Sequence, residues 1–168
     1  MKTTISLTLL TITMITVTAF ALRHSVDAKE KIGLQVITAL QRSSLHEFSA
    51  MFPTVADFHG LMMRNSELYG VNLNEAAREF EKEFAYVLFP EFKKSFERII
   101  HEGKEAGIDW RTAQFVSVEV PEEIESDFAA VPMTINFRAQ GKEHRLKIEK
   151  ALVIDGHWKL SQYISLEK

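Results

Sequence analysis

The stretch EHRLKIEKALVIDGHWKLSQYISL, residues 143–166, alternates apolar and polar side chains on both sides of Asp155-Gly156. Period-two alternation is the mark of strands with one face in a core and the other in water. Asp-Gly is a strong two-residue hairpin turn, because both of its residues tolerate positive φ. The stretch therefore predicts two antiparallel strands, Glu143–Ile154 and Trp158–Leu166. In the second, Trp158, Leu160, Ile164 and Leu166 oppose Lys159, Ser161, Tyr163 and Ser165. The tight turn pairs Ile154 with His157 and sets Ala151 and Val153 on the face of Trp158 and Leu160. Upstream, however, the apolar phase is Leu146 and Ile148. This slip of one residue near Glu149-Lys150 calls for a β-bulge or sharp bend. A three-residue loop pairing Ile154 with Trp158 would remove the slip, but Asp-Gly favours the tighter turn and hence the bulge.

Two more strands precede this hairpin, about Ala113–Val120 and Phe128–Arg138, joined by Pro121–Asp127 and followed by Gln140-Gly141-Lys142. Val131, Met133, Ile135 and Phe137 share one face of the second strand, with Thr134, Asn136 and Arg138 on the other. Before Ala113 the period is helical. Asp27–Gln41 carries Ile32, Val36, Ile37 and Leu40 on one side. Three capping pairs follow, Ser44 with Glu47, Thr54 with Asp57 and Asn72 with Glu75, each an oxygen-bearing cap with an acid three residues on. They open helices Leu45–Met51, Val55–Leu68 and a long helix after Asn72, whose apolar face runs from Leu73 to Ile100. Pro90 lacks the amide this helix needs, so a kink or break is expected near Phe89, with the second segment ending at Glu105 before Gly107. The fold class expected is α+β, with N-terminal helices on one face of a curved four-stranded antiparallel sheet.

The first 21 residues differ from all of this. After Lys2 the run Ile5–Leu22 is uncharged and apolar and contains Ala19-Phe20-Ala21, the small-x-small pattern of a secretory cleavage site. The rival is a retained membrane anchor, since the run is near the lower length limit for a span. Thr8, Thr11, Thr13, Thr16 and Thr18 weaken the span, and Ala19 and Ala21 offer the peptidase site. The expected organisation is a signal segment, Met1–Ala21, and one domain, Leu22–Lys168, placed in the periplasm or secreted. Removing Met1–Ala21 takes away Lys2 and no acid, leaving 19 basic against 23 acidic side chains. Such a balance is poor for nucleic acid. The chain has no cysteine, which excludes disulfides, thiolate metal sites, a cysteine nucleophile and lipoprotein modification.

The segment Val153-Ile154-Asp155-Gly156-His157-Trp158-Lys159-Leu160, after helices and at the end of an antiparallel sheet, resembles the small cone-shaped domains of the cystatin-like and nuclear-transport-factor-2-like group. Gly107-Ile108-Asp109-Trp110 running into Phe115-Val116-Ser117-Val118-Glu119 is similar to stretches in secreted bacterial proteins of that kind with no assigned function. The resemblance spans about residues 45–168. It departs from the group's usual pattern in having no hairpin between the helices.

Candidate chemistry is thin. The six histidines, His24, His46, His59, His101, His144 and His157, show no H-x-H or H-x-x-x-H pair, so no metal site is expected. Glu122, Glu123, Glu125 and Asp127 lack the spacing and glycine of a calcium loop. Arg138, Arg145, Lys147 and Lys159 make a possible basic stripe on the wet face, diluted by Glu143 and Glu149. Met51, Met62 and Met63 suit either a core or an apolar ligand cavity. Serine-nucleophile, phosphate-loop and dinucleotide patterns are absent. Enzymes of cone folds place a carboxylate or histidine in an apolar pocket, whereas here the polar positions on apolar strand faces are Lys150 and Gln162. Asp57 and His59 form another conceivable pair, although Asp57 is accounted for as a capping acid. No catalytic, cofactor-binding or metal residues are assigned. The preferred reading is an exported, non-catalytic binding or interaction domain for an unknown protein or small apolar ligand, touching a membrane only if the N-terminal segment is retained. The alternatives are an isomerase- or hydratase-like enzyme with a pocket between the long helix and the sheet, and a membrane-tethered accessory subunit.

Overall fold

The computed structural model describes residues 28–64, 73–121 and 130–167, and all structural statements concern these residues. Helix α1 covers residues 28–41 and buries Ile32, Val36, Ile37, Ala39 and Leu40, the stripe its spacing requires. It ends in a Schellman motif: Ser43 takes φ +49°, its amide bonds Leu40 O, and the Ser44 amide reaches back to Ala39 O. Ser44 then caps α2, Leu45–Ser49, accepting from the Glu47 amide at 3.2 Å. Helix α3 spans Val55–Arg64. Thr54 and Asp57 form the expected reciprocal box, with Asp57 Oδ2 accepting from the Thr54 amide at 2.8 Å and Thr54 Oγ1 accepting from the Asp57 amide at 3.1 Å. Asn72, the third expected cap, lies outside the described residues, as do Glu122, Glu123, Glu125, Asp127 and the whole of Met1–Ala21.

Pro90 does not break the long helix. Helix α4, Leu73–Glu83, continues through a π turn, Phe84–Leu88, into α5, Phe89–Glu105. Without an amide at position 90, Tyr86 O has no partner four residues on. The helix answers by widening, and the Phe89 amide bonds Phe84 O, five residues back. Of the expected kink or break near Phe89, the break does not occur, and the irregularity found there is a π turn. A second Schellman motif stops α5, with Gly107 at φ +75° and the Ile108 amide on Gly103 O.

The sheet is a plain antiparallel meander in the order β1 Gln114–Glu119, β2 Val131–Ala139, β3 Lys142–Ile154, β4 His157–Glu167. No strand precedes β1 among the described residues. The β3–β4 turn pairs Ile154 with His157, with Asp155 at φ +52° and Gly156 at φ +73°. The ladder shifts between Lys150 and Ala151, as the slipped apolar phase requires. Lys150 is consequently exposed while its neighbour Ala151 is fully buried. The β2–β3 connection is shorter than expected. Gln140 and Gly141 form a second two-residue turn, both at positive φ, and Lys142 already pairs with Ala139.

One face of this sheet, carrying Met133, Ile135, Phe137, Leu146, Ile148, Ala151, Leu160 and Ile164, shares a single core with the helices. Phenylalanines staple the helical half together: Phe58 stacks on Phe80 at 3.8 Å and Phe52 on Phe92 at 3.7 Å, while Phe48 meets Phe96 at 5.1 Å. The helices also close the outer edge of β4. Leu160 N donates to Met51 O, Arg98 Nη2 donates to Ile164 O, and Leu166 N donates to Glu102 Oε2 at 3.4 Å. An edge strand whose backbone is engaged this way no longer templates pairing with another chain.

Candidate functional site

Where α1, α2 and the start of α3 meet the first residues of β4, the surface opens into a cleft of about 650 Å³. Its floor is apolar, supplied by Ile32, Met51 and Trp158, and its walls are charged. Arg42 Nη1 lies 2.8 Å from Glu47 Oε1. Lys159 Nζ lies 3.0 Å from Asp57 Oδ2, with side-chain exposures of 18% and 24%. These low exposures set the second pair apart from the surface ion pairs, which are worth little. His157 and Lys31 complete the rim.

Each of these positions has a local cause. The Schellman turn after α1 throws Arg42 and Glu47 onto facing sides of one corner. The tight Asp155-Gly156 turn puts His157 and Trp158 at the first positions of β4, against the helical half. Asp57 sits in the first turn of α3, where a single carboxylate oxygen, Oδ2, accepts from the Thr54 amide and hydroxyl and also meets the Lys159 ammonium. Burial by itself would raise the Asp57 pKa, but the hydrogen bonds from the Thr54 amide, the Lys159 ammonium and the Thr54 hydroxyl outweigh it. The carboxyl is held below its ordinary range. Asp57 is thus charged in the folded state at neutral pH and anchors the one cation that faces the cleft from β4.

Replacing Asp57 with alanine removes a helix cap and leaves Lys159 half-buried without its carboxylate. The expected cost is about 1–2 kcal/mol by urea unfolding at pH 7. Because the folded pKa is depressed, the contribution is complete above the unfolded carboxyl value, about 3.9, and fades as pH falls through the folded one. The gap between wild type and Asp57→Ala should therefore narrow below about pH 4; a gap that stays constant down to pH 2 contradicts the assignment.

Other residues singled out in the sequence are dispersed. His59 is exposed on α3, and His46 and His101 are exposed elsewhere; His144 stacks on Phe137 at 5.3 Å. No group of three or more His, Asp or Glu converges among the described residues. The basic stripe does not form as a single-sign surface. Arg138 pairs with Glu143 at 2.9 Å, and Arg145 reaches Glu119 at 3.7 Å and Glu167 at 3.6 Å. Lys159 leaves the stripe for Asp57. Met51 is both core and cleft floor, and Met63 is exposed. Between α5 and the sheet lie Phe92, Phe96 and Ile99, and Ser95 is the sole buried polar side chain among the described residues. The ionisable group that an isomerase-like pocket needs there is not found among them.

A second concavity of about 750 Å³, at the far end of α5, is fringed by Glu102, Glu105, Glu143 and Glu167 with Arg145 and His144. Its apolar residues are only Leu166 and Ala106, whereas the cleft at Trp158 sets an indole beside Ile32 and Met51, a flatter and larger apolar platform for a ligand with an apolar body. Sequence reasoning missed that cleft because its parts come from four separate elements. The Trp158-Lys159 pair beside a turn was the available signal. No family model matches the chain, and no curated protein and no solved structure matches it.

Proposed function

We propose that this chain is an exported, non-catalytic binding domain of the cone-shaped kind, and that it takes a small amphipathic ligand in the cleft floored by Trp158. The observation that carries the reading is the juxtaposition of an apolar floor with two internally neutralised ion pairs, Arg42–Glu47 and Asp57–Lys159. An apolar tail would rest on Ile32, Met51 and Trp158, and a polar head would exchange contacts with one of the pairs. Octanoate, octylamine and octyl glucoside, used below their micelle concentrations, offer one tail with three heads. At least one is expected to change the tryptophan fluorescence saturably, and titration calorimetry, which needs no indole, should show Trp158→Ala binding it about tenfold or more weakly. Non-saturable changes, or equal affinity in Trp158→Ala, would sink the reading.

A second reading, the membrane-tethered subunit, gains from one observation: the folded domain carries an exposed apolar patch at Tyr86, Val87 and Phe89. No described helix is long and apolar enough to cross a membrane. The tether would thus rest on Ile5–Leu22. Mass spectrometry of the exported protein separates the two, since an N-terminus at Leu22 leaves no anchor.

A further inference from the structure

The π turn of the long helix exposes two adjacent apolar side chains, Tyr86 at 81% and Val87 at 52%, and Phe89 just after it is 39% exposed. Residues three or four apart share a helix face, and across a π turn the matching step is five. The stripe through Tyr86 therefore runs Glu79, Lys82, Tyr86, Glu91, Lys94, with exposed Glu83 flanking it. These residues are exposed except Glu91, which keeps 45% of its side chain in solvent. Glu91 and Lys94 are paired within the chain at 2.6 Å.

The order of charges along this stripe is self-complementary under a two-fold axis. If two copies meet antiparallel with the axis between Tyr86 and Val87, Glu79 of one faces Lys94 of the other and Lys82 faces Glu91. Tyr86 then lies over Val87 of the second copy. We propose that the π-turn face is a self-association surface, and that its occupant is a second copy of this chain in that antiparallel arrangement. The charge order does not suit an anionic membrane or an acidic partner, because acids and bases alternate along it. A closed two-fold contact uses the same patch on both copies, so the association stops at a dimer. Two apolar side chains per copy, Tyr86 and Val87, make that dimer weak and reversible. The inference is independent of the ligand reading, as none of these residues lines the cleft.

The chain has no cysteine, which makes single-cysteine cross-linking unambiguous. The full chain carrying Val87→Cys should form a disulfide dimer under mild oxidation, about tenfold more than the full chain carrying Val116→Cys, a control of similar exposure on β1. Adding Lys94→Glu to Val87→Cys should reduce the dimer about fivefold, and adding Glu79→Lys as well should restore it. The rescue can act only between copies, because positions 79 and 94 are about 22 Å apart along one helix. Equal cross-linking at positions 87 and 116, no loss with Lys94→Glu, or no recovery with Glu79→Lys would each overturn the proposal.

Discussion

Phe137→Ala is expected to destabilise the domain by about 3–5 kcal/mol, read as a lower urea midpoint with an unchanged slope. Phe137 is fully buried in β2, stacks on Trp110 at 5.2 Å and on His144 at 5.3 Å, and sits over the junction where the helical half hands over to the sheet. Truncation leaves a cavity walled by a rigid indole and by strand backbone, neither of which collapses into it easily. Phe89→Ala, in the exposed patch, should change stability by no more than about 0.5 kcal/mol. A loss below about 1 kcal/mol at Phe137 would mean that the core lies elsewhere.

The second large effect is expected at Gly103, from adding a single methyl group. A Cβ there would lie 2.5 Å from Trp110 Cε2 and 2.6 Å from Cζ2, closer than real Cβ atoms come. Alanine improves helix propensity by about 1 kcal/mol, so a solvent-facing glycine in α5 would gain from the change. Here the indole is buried and held by Phe137, and it has no room to step aside. Gly103→Ala should cost about 1–3 kcal/mol net of propensity. Trp110→Phe should recover part of that loss, since Trp110 Nε1 is buried with no hydrogen-bond partner among the described residues and the smaller ring sacrifices none of their bonds. Simple additivity of the two substitutions would show that the glycine is not where the indole rests.

The two helix glycines against which side chains from elsewhere pack, Gly33 under Val118 and Phe115 and Gly103 under Trp110, are not legible as a pattern. Local chemistry could be read wherever it acts over a few residues. Asp155-Gly156 dictated its own turn, the slip from Ile148 to Ala151 required the bulge, and Thr54 with Asp57 made the expected cap. Pro90 gave the place of the irregularity but not its form, because the choice between a break and a π turn depends on how well Phe84 and Phe92 hold the two segments to the core. The cleft shows the same limit. Asp57 was legible as a cap, yet its second partner, Lys159, comes from the other end of the chain and was assigned to the opposite, solvated face. Which residues of distant elements meet is decided by packing, and alternation along one strand says nothing of it.

The cleft joins the helical half and the sheet into one unit. The helical half closes the β4 edge through Met51, Arg98 and Glu102, and the same closure brings Asp57 to Lys159 and encloses Trp158. A ligand taken up in the proposed site would touch the residues that dock the helices on the sheet, so its binding should raise the unfolding midpoint by mass action.

The most direct test uses the two tryptophans as built-in probe and control. Trp110 is buried in the core, Trp158 lines the cleft, and each contributes one indole N–H signal to a proton–nitrogen correlation spectrum. Titrating octanoate, octylamine or octyl glucoside should move the Trp158 signal together with the backbone signals of Ile32, Met51 and Lys159, leaving Trp110 in place. Saturable shifts that gather instead around Glu102, Glu143 and Glu167, or that move both indoles alike, would contradict the assignment of the cleft as the binding site.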